Sequence, residues 1–256
     1  MRNKEATRSA WSKRLAVHTA APQWGKAAEK LRGLREYRDA ATVFATPDET
    51  LHQARINCLA DGKNLVMPAP SIREGFFIVP AHTVPFKNLS VAVTYKGLEK
   101  HGQLLKFEAI QELSVNLLLT GSLAVDLGGG RLGDGNGFFD LCCALLQELG
   151  ALQQNWTVLT FILEEQISRD GLPRDAWDII MSGAITPSGI HPFNPPQQSP
   201  AIFWDVLPKS RLKKIDPLWK IYSARVKDHR DRGVLGDMGP RGKNVGPHWS
   251  TGVLET

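Results

Sequence analysis

The apolar positions of the chain repeat with two different periods, and the places where the period changes divide it into elements. Residues 3–17 set Ala6, Trp11, Leu15 and Ala16 on an uneven helical stripe. Residues 24–38, rich in Lys and Arg, predict a second helix with Leu31 and Leu34 turned inward. A short strand is predicted at 41–46. Pro47 and Asp48 then open a helix that runs to Asp61, with the Asp48 carboxylate placed to cap it. Gly62 follows, a residue suited to the left-handed position just past a helix end. Further strands are predicted at 63–67, ended by Pro68 and Pro70, and at 76–79. After an irregular middle come a strongly apolar strand at 115–120, a helix at 138–149 closed by Gly150, and a buried strand at 156–163. Residues 177–181 and Ile185 supply the last strands.

Strands alternating with helices, several of the strands apolar throughout, indicate an α/β fold, with a mainly parallel sheet flanked by helices on both faces. Such sheets take their ligands at the carboxyl ends of the strands. Residues 1–207 read as this α/β domain and residues 208–256 as a basic C-terminal extension. From about Asp228 the periodicity gives way to Gly, Pro and charge, and the tail beyond is expected to be poorly ordered. The proline-dense segment 189–200 reads equally as a lid, a linker or a surface loop.

Composition narrows the class. With 256 residues, 42% of them hydrophobic, the chain can build one such core. No run is long enough to cross a bilayer and no apolar signal core opens the chain. A membrane is therefore not an expected partner, and a cytoplasmic location follows by default. Cys58, Cys142 and Cys143 have neither metal spacing nor a disulfide framework, and the seven histidines form no His-x-x-x-His pair, so a zinc centre is not expected. Lys, Arg, Asp and Glu sum to +6 over residues 1–40, −7 over 41–207 and +6 over 208–256. The basic ends, with Trp219, Tyr222 and Trp249, fit either contact with a polyanion or a solvated surface. No RNA-binding motif is present, so nucleic acid is not the expected partner.

The stretch from Gly128 to Asp140 changes the picture most. Six glycines in residues 128–137 let the backbone take positive φ and approach a ligand closely. A strand precedes the loop and a helix follows it, so backbone amides and the positive helix end can converge on an anion. Arg131 adds a forked donor for phosphate oxygens, and Asp140, in the first turn of the helix, suits Mg²⁺ held against a nucleotide. The spacing is neither a Walker loop nor the dinucleotide fingerprint. A flexible turn with a surface carboxylate remains the plain alternative.

Arg131-Leu132-Gly133-Asp134-Gly135-Asn136-Gly137-Phe138-Phe139-Asp140 resembles the Arg-Leu-Gly-x-Gly-x-Gly-Tyr-Tyr-Asp signature of the 5-formyltetrahydrofolate cyclo-ligases, also called methenyltetrahydrofolate synthetases. The likeness extends in order over most of residues 1–190. Lys4-Glu5-Ala6-Thr7-Arg8 resembles the family's ATP-contacting Lys-x-x-Leu-Arg, and Trp177-Asp178-Ile179-Ile180 a later strand of the family. Arg55, Gly62-Lys63-Asn64-Leu65, Pro68-Ala69-Pro70 and Arg73-Glu74-Gly75-Phe76-Phe77 are similar to a divergent, cyclo-ligase-like branch. The fold implied is that shared with NagB, RpiA and the CoA transferases.

In that family ATP phosphorylates the formyl oxygen of 5-formyltetrahydrofolate, N10 attacks the activated carbon, and phosphate leaves as 5,10-methenyltetrahydrofolate closes. The resemblance implies ATP and Mg²⁺ as cofactors and a reduced folate, or a related N-formyl compound, as substrate. It makes Lys4 and Arg131 the catalytic charges, with Arg8, Leu132, Gly133, Asp134, Gly135, Asn136, Gly137, Phe138 and Phe139 completing the nucleotide site. Val43, Asp48 and Phe138 would contact the folate, and Asp140 and Asp178 the metal. Lys4 and Arg8 also read as a solvated helix face and Asp48 as a helix cap. Asp48 stands where the family has glutamate, and Phe138 and Phe139 lack the two tyrosine hydroxyls. A non-catalytic nucleotide- or folate-binding relative is therefore the alternative to a ligase. A monomer and a homodimer both remain open.

Overall fold

The computed structural model describes residues 3–16, 23–196 and 198–231. Strands β1 (Thr42–Ala45), β2 (Asn64–Pro68), β3 (Phe76–Val79), β4 (Gln103–Leu104), β5 (Val115–Gly121), β8 (Leu152–Phe161), β10 (Gly183–Ile185) and β11 (Ile190–Pro192) form one sheet in the order β11-β10-β8-β5-β1-β2-β3-β4. The five strands from β10 to β2 are parallel, and β11, β3 and β4 pair antiparallel at the two edges. A small second sheet joins β6 (Ala124–Asp126) to β7 (Arg131–Leu132) and to β9 (Ile167–Ser168).

Why the central strands carry apolar residues on both faces follows from the pleat. Val43 and Ala45 of β1 face one core while Phe44 faces the other; in β5, Leu117 and Leu119 share the first core and Leu118 the second. Both sides of the sheet are therefore buried, and each buried Val, Leu or Phe contributes about 1.5–3 kcal/mol relative to exposure. One face is covered by α2 (Trp24–Gly33), α4 (His52–Ala60), α5 (Leu89–Ala92) and α6 (Tyr95–His101). The other receives α7 (Phe107–Gln111), α8 (Phe138–Glu148) and two helices of the C-terminal extension, α9 (Lys209–Lys214) and α10 (Asp216–Asp231). Leu212, Ile215, Leu218 and Ile221 lie in the same core as Phe76 and Ile110. The Asp216 amide donates to the Arg73 carbonyl at 2.8 Å.

Several expectations from the sequence are corrected. The helix expected at 24–38 breaks at Leu34, which is extended, and resumes as α3 (Arg35–Asp39). The helix expected from Asp48 begins as a 3₁₀ turn, and Asp48 makes no capping bond. Its carboxylate instead accepts from the Thr46 hydroxyl and, at 2.8 Å, from the Gly121 amide, because the adjacent end of β5 presents a donor there. Residues 177–181 are not a strand: their backbone turns away to hold the glycine loop and Gln198, leaving β10 to begin at Gly183. The irregular middle contains α5, α6 and α7, too short to show a period. Helix α10 continues through Asp231; residues 232–256, including the remainder of the expected disordered tail and Trp249, lie outside the described residues. Gly62 (φ +73°) and Gly150 (φ +73°) do end their helices in the left-handed conformation.

Helix α1 (Lys4–Leu15) is capped by the Asn3 side chain, which accepts from the Glu5 amide at 2.9 Å. It buries no residue fully, and Ala6 is exposed. Its apolar stripe reduces to Trp11, packed against Ala124, Leu132 and Leu172; polar contacts do the rest.

Candidate functional site

The glycine loop is folded by Asp126 at the end of β6. One oxygen of this buried carboxylate accepts from the amides of Gly128 (2.9 Å) and Gly130 (2.8 Å), and the other from Leu172 (2.8 Å). Gly129 has φ +79°, and a Cβ there would stand 2.4 Å from the Met181 carbonyl oxygen, so only glycine fits. The chain then returns through β7 and reaches Gly137, a left-handed residue at the start of α8.

Beyond the turn lies a cleft open to solvent and built from three separate parts of the chain. Lys4 and Arg8 enter from α1. Arg131, Gly133, Asp134, Gly135, Gly137 and Asp140 come from β7, the loop and α8, and Asp175, Trp177 and Asp178 from the segment before β10. Lys4 Nζ donates to Asp178 and, at 2.8 Å, to Asp175. Arg8 Nε donates to the Gly133 carbonyl at 3.2 Å, and a Cβ on Gly135 (φ +99°) would stand 3.2 Å from the same nitrogen.

Arg131 and Asp140 form an ion pair at 3.0 Å with each side chain only 9% exposed. The Arg131 guanidinium also lies 4.9 Å from the Phe139 ring and donates to the Gly121 carbonyl at 3.3 Å. Burial alone would disfavour its charge, but Asp140 and the neighbouring carboxylates more than offset this, raising its pKa. The second oxygen of Asp140 accepts from the Ile179 amide at 3.0 Å. Burial raises the pKa of Asp178 from its ordinary value, a shift opposed by Lys4 and by the Asp175 amide.

The residues expected to meet a folate are not in this cleft. Val43 is fully buried in the sheet, with Leu65 and Leu117 as its partners in register. Asp48 lies at the carboxyl end of β1 and is committed to Thr46 and Gly121. Phe138 is half-buried beneath the Arg211 guanidinium, 4.5 Å away. Leu132 and Phe139 are core residues. The Asp134 carboxylate accepts from the backbone and side-chain amides of Asn136 at 2.9 and 2.8 Å.

Sequence reasoning misses Asp126, Asp175, Trp177 and Arg211 as site residues. Asp126 carries a signal, an Asp two residues before a glycine run, which is the pattern of a side chain accepting from its own turn. Asp175 sits three residues before Asp178, but a strand reading of that segment hides the pairing. Arg211 belongs to a basic stretch with nothing local to distinguish it. Arg55 gains a role only in three dimensions. It is buried and donates to the carbonyls of Val93 (3.1 Å), Thr46 (2.7 Å) and Asp48 (2.8 Å), and so shapes the carboxyl end of β1. Burial lowers its pKa to about 10.

The structure is thus an α/β protein whose mainly parallel sheet carries a charged cleft bounded by a glycine loop at a helix start. The description of the 5-formyltetrahydrofolate cyclo-ligase family matches residues 2–187, and the chain belongs to that family. It is 29% identical over 228 residues to a methenyltetrahydrofolate synthase domain-containing protein of Danio rerio, covering 84% of this chain and 58% of that protein. It is 25% identical over 217 residues to a protein of the same description from Homo sapiens, covering 82% and 56%. The chain thus spans little more than half the length of these relatives. The solution structure of the Aquifex aeolicus 5,10-methenyltetrahydrofolate synthetase superimposes with a TM-score of 0.50 at 19% identity, over 76% of this chain and 95% of that one. That likeness concerns the fold. No helix among the described residues is long and apolar enough to cross a membrane.

Proposed function

We propose that the chain binds MgATP in the glycine-loop cleft and uses it to cyclise 5-formyltetrahydrofolate or a related N-formyl compound. The observation that carries this reading is the convergence of Lys4, Arg8, Arg131, Asp140 and Asp178, from distant parts of the sequence, around the amides of residues 133–137. Three cations face four carboxylates there, Asp134, Asp140, Asp175 and Asp178, so the lining is net negative by one charge. A bare polyphosphate would be poorly received. A polyphosphate carrying a divalent ion suits the mixture, because the ion satisfies the carboxylates while Lys4 and Arg8 meet the remaining oxygens.

The donor set fits that role and no stand-alone metal centre. No group of three or more His, Cys, Asp or Glu side chains is arranged for a metal among the described residues. Mg²⁺ bound with phosphates needs only one or two protein carboxylates. Asp140 and Asp178 would hold it, and it would supply neutralisation of phosphate charge. Lys4 would exchange its carboxylate partners for phosphate, Arg131 would keep Asp140 oriented, and the loop amides would hold the transferring group in line.

A second reading is favoured by Asp48 and Phe138. With Asp48 tied to Thr46 and Gly121, and Phe138 covered by Arg211, the chain would bind nucleotide without cyclising folate. Absorbance-monitored formation of 5,10-methenyltetrahydrofolate with and without MgATP, beside Lys4→Ala, decides between them. An ATP-dependent rate lost in Lys4→Ala supports the ligase. MgATP binding without turnover supports the second reading, and absence of binding refutes both.

A further inference from the structure

Arg211 lies outside the residues matched by the family description, yet it is built into the surroundings of the glycine loop. Its Nη1 donates to the Asn136 carbonyl at 2.7 Å, and its guanidinium lies 4.5 Å over the Phe138 ring. The adjacent Leu212 is buried in the main core, as are Ile215 and Leu218 just beyond. The cation is thus fixed by core packing on one side and grips the loop on the other.

Asn136 stands between Gly135 (φ +99°) and Gly137 (φ +60°), neither of which has a side chain to restrict its backbone. The Asn136 carbonyl and the Gly137 N–H belong to one planar trans peptide, so fixing the oxygen fixes the N–H in the opposite direction. The other side of Asn136 is held too, since its own N–H donates to Asp134 at 2.9 Å. Arg8 acts in the same way earlier in the loop, through the Gly133 carbonyl. Two arginines from opposite ends of the chain therefore set the peptide planes of one short loop.

We propose that Arg211 is a positioning residue of the glycine loop: by holding the Asn136 carbonyl it orients the Gly137 amide, making the C-terminal extension a working part of the cleft. For its ligand readout this rests on the MgATP reading above; the orientation of the loop itself is a property of the ligand-free chain.

The test uses the full chain carrying Arg211→Gln, with Lys213→Gln, an exposed residue on the same helix, as the charge-matched control. Loss of a part-buried charge-assisted hydrogen bond should speed hydrogen exchange of the loop amides at 133–138 and weaken MgATP binding, each by about tenfold or more. The control should change neither. Arg211→Lys keeps the charge without the planar fork and should shift both in the same directions by a smaller factor, more than about twofold; it carries the test if Arg211→Gln does not fold. Loop exchange and MgATP affinity within twofold of the parent would overturn the proposal. So would an exchange increase spread evenly over α8, α9 and α10, which marks a purely structural role. If the parent binds no MgATP, the functional reading fails, and the exchange pattern still decides the role of Arg211.

Discussion

The buried pair Arg131–Asp140 makes the most quantitative prediction. Each side chain is 9% exposed, and each has a further backbone partner, the Gly121 carbonyl for Arg131 and the Ile179 amide for Asp140. Replacing Arg131 by Met strands a carboxylate, and replacing Asp140 by Asn strands a guanidinium. Removing one member of such a pair costs about 3–5 kcal/mol, because the survivor is left desolvated and uncompensated. For a chain of this size that is a fall in Tm of order 10 °C. The double variant leaves neither charge unpaired, and the carboxamide introduced by Asp140→Asn keeps an acceptor for the Ile179 amide. Its cost should therefore lie well below the sum of the singles, with a coupling of about 2–3 kcal/mol. Urea denaturation of the four proteins, with m unchanged, measures this. Single variants costing under about 1 kcal/mol, or additive losses, would refute the reasoning that the pair is buried and mutually dependent.

Other outcomes follow from neighbouring features. Gly129→Ala should destabilise by more than about 2 kcal/mol, since its Cβ would meet the Met181 carbonyl oxygen at 2.4 Å, whereas Gly150→Ala, with nothing near its Cβ, should cost only the left-handed backbone penalty of about 1–2 kcal/mol. Asp178 is raised by burial, so the folded protein holds its proton more tightly than the unfolded chain. Its contribution to stability is full below the ordinary Asp value of 3.8 and is lost as pH rises through the folded pKa; Asp178→Asn should flatten the stability profile just above that value, read by denaturation against pH. Arg55→Met should leave the carbonyls of Thr46, Asp48 and Val93 without their donor and lower stability by about 2–4 kcal/mol; unchanged stability would mean that water replaces the guanidinium.

The parallel sheet was legible because its central strands carry apolar residues at successive positions, such as Val43-Phe44-Ala45 and Leu117-Leu118-Leu119, a pattern that burial on both faces requires. The glycine run was legible for a similar local reason: the dihedral angles at Gly129, Gly135 and Gly137 disfavour other residues, so the sequence has to declare them. What stayed hidden was decided by contacts far apart in the chain. The family resemblance put Lys4 and Asp178 in one site, but Asp175, which Lys4 also meets across 171 positions, had nothing near it in the chain to announce the contact. Residues 177–181 look like a strand by hydrophobicity because Ile179 and Met181 are buried, but they are buried against the loop and α8 rather than in a ladder. Asp48 shows the same limit: a carboxylate before a helix is a sound cap until a neighbouring strand end offers a nearer amide.

The docking of α10 also bears on how the chain emerges during synthesis. Phe76 and Ile110, together with the Arg73 carbonyl that receives the Asp216 amide, are made long before their cover. Ribosomes add about 5–20 residues per second, so the roughly 140 residues between Arg73 and Asp216 take about 7–30 s to appear. For that interval one face of the sheet lacks the side chains of Leu212, Ile215, Leu218 and Ile221, and nascent chains halted before them present an apolar surface to whatever chaperones are at hand.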